Sequence, residues 1–147
     1  MPLEPGSQLG AYEILSPLGA GGMGEVYKAR DTQLGREVAI KTLPSARTGN
    51  EERKRRFLQE ARAASALNHP GIVTIHDISR SGDIDYIVME YVRGRTLDRV
   101  IGKHGLGVQE SIRYALQIAD GLSKAHAAGI VHRDEYHGDR RRDREDS

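Results

Sequence analysis

Residues 19–28 read GAGGMGEVYK, and residues 38–41 read VAIK. Gly19, Gly21 and Gly24 fill a GxGxxG spacing, with Ala20 and Gly22 among them, and Val26 stands two places beyond the last glycine. Glycines let a backbone lie close over phosphates, and successive N–H groups in such a turn attract anions. Lys41, on a neighbouring strand, supplies the positive charge that those phosphates need. The remainder of the chain reads as support for a site built on these two segments.

Alone, GxGxxG is a weak signal, shared by Rossmann dinucleotide sites and by plain loops. A Rossmann fingerprint opens a helix, whereas residues 25–30 here alternate, with Val26 and Lys28 on one face and Tyr27 and Ala29 on the other. That two-residue period is a strand signature. Residues 31–36, containing Gly35, form a turn, and residues 37–43 are the returning strand of an antiparallel hairpin. The same period sets Ala39 beside Lys41. A small residue there leaves room for a flat ring whose phosphates reach the ammonium.

Upstream, residues 12–15 read as a short strand. Downstream, residues 44–50 are a loop in which Thr48 and Glu51 make a capping box, with Asn50 the rival cap, for a helix running to about residue 67. Asn68-His69-Pro70 stops it, because the residue before proline is pushed out of the helical region. Phe57, Ala61, Ala64 and Leu67 form its apolar stripe. Glu60 lies three residues after Phe57 and four before Ala64, which points it along that face. A carboxylate turned inward needs a cation, and Lys41 is the candidate.

Residues 72–78 and 85–92 add two strands, giving five. Residues 96–101 read as a short helix and residues 102–107 as a loop. A long helix over 108–128 carries Ile112, Ala115, Leu116, Ala119 and Leu122 on one face, and Gly129 ends it. Extended Ile130-Val131 then leads to His132-Arg133-Asp134. The last stretch, EYHGDRRRDREDS, has no aliphatic residue and is expected to be disordered.

The totals exclude several classes. A length of 147 residues fits about one domain, and a net charge of +1 gives no reason to expect nucleic acid or an anionic membrane as partner. With no cysteine there is no disulfide framework and no thiolate metal site. The first residues lack a basic start with an apolar core, and no apolar run is long enough to span a bilayer. The expected location is cytoplasmic.

Taken together, LGAGGMGEVYKARD, REVAIKTL, FLQEARAASALNHPGIV, YIVMEYV and GIVHRD, in that order, resemble the amino-terminal half of a protein kinase. GGMGEVY is most similar to the bacterial serine/threonine kinases of eukaryotic type. The resemblance implies an α+β fold: a five-stranded antiparallel lobe with one helix over residues 9–93, the start of a second lobe over 94–134, and the charged tail 135–147. It also implies ATP as ligand and a protein serine or threonine as substrate in a complete family member. Gly19, Ala20, Gly21, Gly22 and Gly24 would cover the phosphates, with Leu18 and Val26 against the adenine and Ala39 at its other edge. Lys41 would hold the α- and β-phosphates and pair with Glu60. Met89 would back the adenine pocket, while the carbonyl of Glu90 and the amide of Val92 bind the base. His132 and Arg133 would frame the catalytic loop, and Asp134 would accept the substrate's hydroxyl proton.

The departures matter as much. In the family pattern a lysine follows HRD two places on and an asparagine five places on, then DFG; here those positions are Tyr136 and Asp139, and no DFG follows. The family's Mg2+ therefore lacks its ligands, and no metal-binding residue is assigned. The reading is of a kinase cut short within its catalytic loop, with negligible turnover expected. Its alternatives are a non-catalytic fragment that binds nucleotide or a partner, and a frameshifted product. The uncovered stripe of the long helix predicts a marginally stable or self-associating molecule.

Overall fold

Alternating apolar and polar residues build one antiparallel sheet. The computed structural model describes residues 2–21, 24–43 and 51–131; the capping box at Thr48, the rival cap Asn50, residues 132–134 and the tail lie outside the described residues. The strands are β1 (Gln8–Leu9), β2 (Tyr12–Gly21), β3 (Gly24–Asp31), β4 (Glu37–Thr42), β5 (Ile75–Ser81) and β6 (Ile84–Glu90). They lie in the order β1-β2-β3-β4-β6-β5, each neighbour antiparallel. All five expected strands are present with shifted bounds, the strand read over 12–15 running on to Gly21 and the one read over 72–78 lying at Ile75–Ser81, and β1 adds a sixth at one edge. Two residues are too few to show a period, which is why β1 left no readable signal.

Opposed partners in an antiparallel ladder share a face. Tyr27 faces Ile40, Ala29 faces Val38, and Ile40 faces Val88, so these residues fall on one side of the sheet. With Leu9, Ile14 and Tyr86 they form the hydrophobic core. Leu3 packs against this cluster, and its N–H donates to the Tyr27 hydroxyl at 2.8 Å, which ties the amino-terminal segment down. The turn between β3 and β4 is held by Asp31, whose Oδ1 accepts from the N–H groups of Gln33 and Leu34 at 2.9 and 3.0 Å. Gly35 there has φ 70°, a conformation that favours glycine.

Helix α1 (Glu51–Ser65) packs against β5, with Ala61 buried and Phe57 and Ala64 half-buried on the expected stripe. Leu67, just past its end, is also buried. Lys54 in its first turn reaches Asp85 at the start of β6 at 2.8 Å. Beyond β6 a connector of residues 91–96 leads to α2 (Leu97–Ile101), where the Thr96 hydroxyl accepts from the N–H of Arg99 at 3.4 Å. Helix α3 (Val108–Ala127) ends before Gly129, at φ 77°, as expected. It docks through Gly121, the one position of α3 that is buried, where an added Cβ would stand 3.5 Å from the Gly71 carbonyl oxygen. His69 Nε2 meets Asp120 Oδ2 at 2.7 Å beside it.

Candidate functional site

The second face of the sheet gathers several of the residues singled out in the sequence. Val26 lies opposite Lys41, Lys28 opposite Ala39, Ala39 opposite Met89 and Lys41 opposite Ile87, so Val26, Ala39, Met89 and Lys41 gather on one surface. Ala39 is only 7% exposed. Its neighbours therefore close over a methyl group.

The glycine stretch forms the tip of the β2–β3 hairpin, with Gly19 opposite Val26 and Gly21 opposite Gly24. Gly24 has φ 117°, which a side-chain-bearing residue rarely adopts, so this glycine is required by the backbone. Gly22 lies outside the described residues, as do the side-chain surroundings of Ala20 and Gly21. A strand follows the glycines, which excludes the Rossmann arrangement. Leu18 sits in an irregularity of the β2 register and is 47% exposed. At the other side Met89 is half-buried, Glu90 ends β6, and Val92 lies exposed in the connector.

One expected contact is corrected. Among the ion pairs of the described residues there is none between Lys41 and Glu60; the Lys41 ammonium instead stands over the Phe57 ring, 5.7 Å from its centroid. The reason is helical geometry. Successive residues turn by about 100°, and Lys54, Phe57, Ala61 and Ala64, the residues that face the sheet, leave Glu60 rotated away by roughly a quarter turn. Glu60 is exposed. A carboxylate in water has no need of a buried cation, whereas an aromatic face attracts an ammonium.

A second cluster went unforeseen. Glu37, on the same face as Ala39 and Lys41, accepts from Lys28 Nζ at 2.8 Å through Oε1 and from Arg93 Nη2 at 2.7 Å through Oε2. These two cations, Lys28 first, hold the Glu37 carboxyl below the ordinary glutamate range. Lys28 also stands over the Tyr91 ring at 4.9 Å. Cross-strand register was the available signal for Lys28 and Glu37; nothing in the sequence placed Arg93. Asp134, His132 and Arg133 lie outside the described residues, as do Tyr136 and Asp139. Among the described residues no group of three or more His, Cys, Asp or Glu side chains is placed to hold a metal ion.

Comparison with known proteins gives a consistent result. The protein kinase domain model matches residues 12–135. The chain is 48% identical over 126 residues to the serine/threonine-protein kinase PrkC of Bacillus subtilis, covering 85% of this chain and 19% of that protein. Its identity to the serine/threonine-protein kinase PknA of Mycobacterium tuberculosis is 42% over 134 residues, covering 85% and 30%. The crystal structure of the Mycobacterium tuberculosis PknI kinase domain, C20A mutant, superposes with a TM-score of 0.79 at 32% identity, covering 92% of this chain and 56% of that one. The chain thus spans about a fifth to a third of these curated relatives, and little over half of the solved kinase domain.

Proposed function

The chain belongs to the protein kinase family, and on that premise we propose that it is the ATP-binding part of a serine/threonine protein kinase. The observation that carries this reading is the shared face of Val26, Ala39, Met89 and Lys41 beside a glycine hairpin whose Gly24 backbone excludes other residues. An adenine ring lies against Val26, Leu18 and Ala39, with Met89 behind it and the backbone of Glu90 and Val92 at its edge. The hairpin N–H groups and the Lys41 ammonium take the phosphates, for which oriented dipoles and a fixed cation are the right partners.

In a complete relative, bound ATP supplies the phosphoryl group that a serine or threonine hydroxyl receives. Asp134 takes the hydroxyl proton and Lys41 neutralises phosphate charge; positioning does most of the catalysis. Glu60, exposed on α1, is the residue that pairs with Lys41 in the family pattern. Tyr136 and Asp139 stand where the family pattern has its lysine and asparagine. Each lost electrostatic partner lowers kcat by a factor of about a hundred to a thousand. The 147-residue chain therefore binds nucleotide with negligible turnover.

Zero cysteines and dependence on ATP support a cytoplasmic setting, and no helix among the described residues is long and apolar enough to cross a membrane. Titration of the chain with ATP, with and without magnesium, alongside incorporation of labelled phosphate into a serine/threonine peptide, tests the proposal. Binding without turnover is expected. Absence of any ATP binding overturns it.

A further inference from the structure

We infer that Glu37, bridging Lys28 and Arg93, is a positioning residue that clamps the connector after β6 to the sheet and so holds the Glu90–Val92 backbone at the edge of the adenine surface. The inference rests on the nucleotide reading above, but it concerns residues to which that reading gives no role.

Both oxygens of one carboxylate are engaged, Oε1 by Lys28 of β3 and Oε2 by Arg93 of the connector. Lys28 is shared in turn with the Tyr91 ring at 4.9 Å, so two points of the connector are tied to two adjacent strands. Glu37 and Lys28 each leave about a quarter of the side chain exposed (27% and 25%), which limits screening by water; Arg93, at 80%, is the weaker arm. The placement follows from register. Val38 is the partner of Glu90, so Glu37 sits beside the point where the chain leaves β6. Residues 91–96 have no strand or helix of their own, and a segment of that kind is ordered by its side-chain ties. Arg30, the cross-strand partner of Glu37, is the remaining charged group opposite the carboxylate.

A base that binds connector backbone is bound in proportion to the fraction of chains whose connector is in place. Glu37→Gln should raise the Kd of adenosine about three- to fivefold and Arg93→Gln about twofold. Because the clamp serves the base edge alone, the factor for Glu37→Gln should be equal for adenosine and for a non-hydrolysable ATP analogue. Lys41→Met, by contrast, should weaken the analogue and spare adenosine. The Glu37→Gln, Arg93→Gln double variant should be no weaker than Glu37→Gln alone, since both act through one carboxylate, and Glu37→Asp should restore part of the loss. Arg93→Gln, at an exposed site, keeps the test open if Glu37→Gln fails to fold. Adenosine affinity unchanged in both single variants, or losses that add in the double variant, overturns the clamp while leaving the nucleotide reading intact. Failure of the unaltered chain to bind adenosine or the analogue overturns both.

Discussion

The sheet and helix α3 obey the same rule of patterning and meet opposite fates. In the sheet, Ile14, Val38, Ile40 and Val88 are 0% exposed, because residues of other strands and the amino-terminal segment close over them. In α3, Val108, Ile112 and Leu116 are 76%, 54% and 67% exposed on a stripe of equally good spacing. Helix α3 meets the rest of the chain at Gly121 and Asp120 instead, where a missing side chain admits the Gly71 backbone. Periodicity names an apolar face, but burial needs a second surface, and only the sheet has one within the described residues.

The sharpest way to break this contrast is to truncate one residue in each region. Ile40→Ala should cost about 2–5 kcal/mol in denaturant or thermal unfolding, the transfer term plus a cavity term. Leu116→Ala should stay within about 0.5 kcal/mol, as surface changes do. A second copy covering α3 would reverse the small value, so the mass of the chain in solution belongs beside the melt. We expect self-association at high protein concentration, and Leu116→Lys to return the chain to a monomer. A chain monomeric at every concentration would show that the uncovered stripe does not drive association.

Next in size is the contrast between the two charged residues first read as partners. Lys41→Met should raise the Kd of an ATP analogue by about ten- to a hundredfold, the range for a hydrogen bond to a charged group. Glu60→Gln should change it by less than about twofold. A large effect of Glu60→Gln would mean that nucleotide turns α1 and forms the pair absent here.

These contrasts mark what was legible. The period of two paired Val26 with Lys28 and Ala39 with Lys41, because a strand offers a side chain only two directions, and the register of the folded sheet joins the two pairs on one face. Glu60 failed for the complementary reason. A helix offers a continuous circle of directions, and being flanked by Phe57 and Ala64 left it on the rim of the stripe rather than at its centre. Met89 entered only through the kinase resemblance, whereas Arg93 and the His69–Asp120 contact depend on how distant segments meet. No local pattern encodes that. β1 is held to β2 by tertiary packing of Leu9 rather than by a propensity that two residues could express.

The smallest expected effect separates the two ends of the well-packed region itself. Tyr27 Oη accepts from the Leu3 N–H and donates to Glu25, so one hydroxyl joins the amino-terminal segment to β3. Tyr27→Phe removes both bonds and keeps the ring, and should cost about 1 kcal/mol. Its pH dependence distinguishes this from loose packing. Burial, then the Glu25 hydrogen bond, raises the Tyr27 phenol above its ordinary 10.0. The protonated form is thus favoured in the fold, so its contribution is complete below 10.0 and is lost as pH rises through the folded value. Unfolding measured from neutral pH into the alkaline range should therefore show a steeper loss in the unaltered chain than in Tyr27→Phe. Tyr12, raised by burial and then by Asp77, leaves a residual slope in both. Parallel alkaline limbs would mean that the phenol carries no linkage and that Leu3 is held by contact with the core alone.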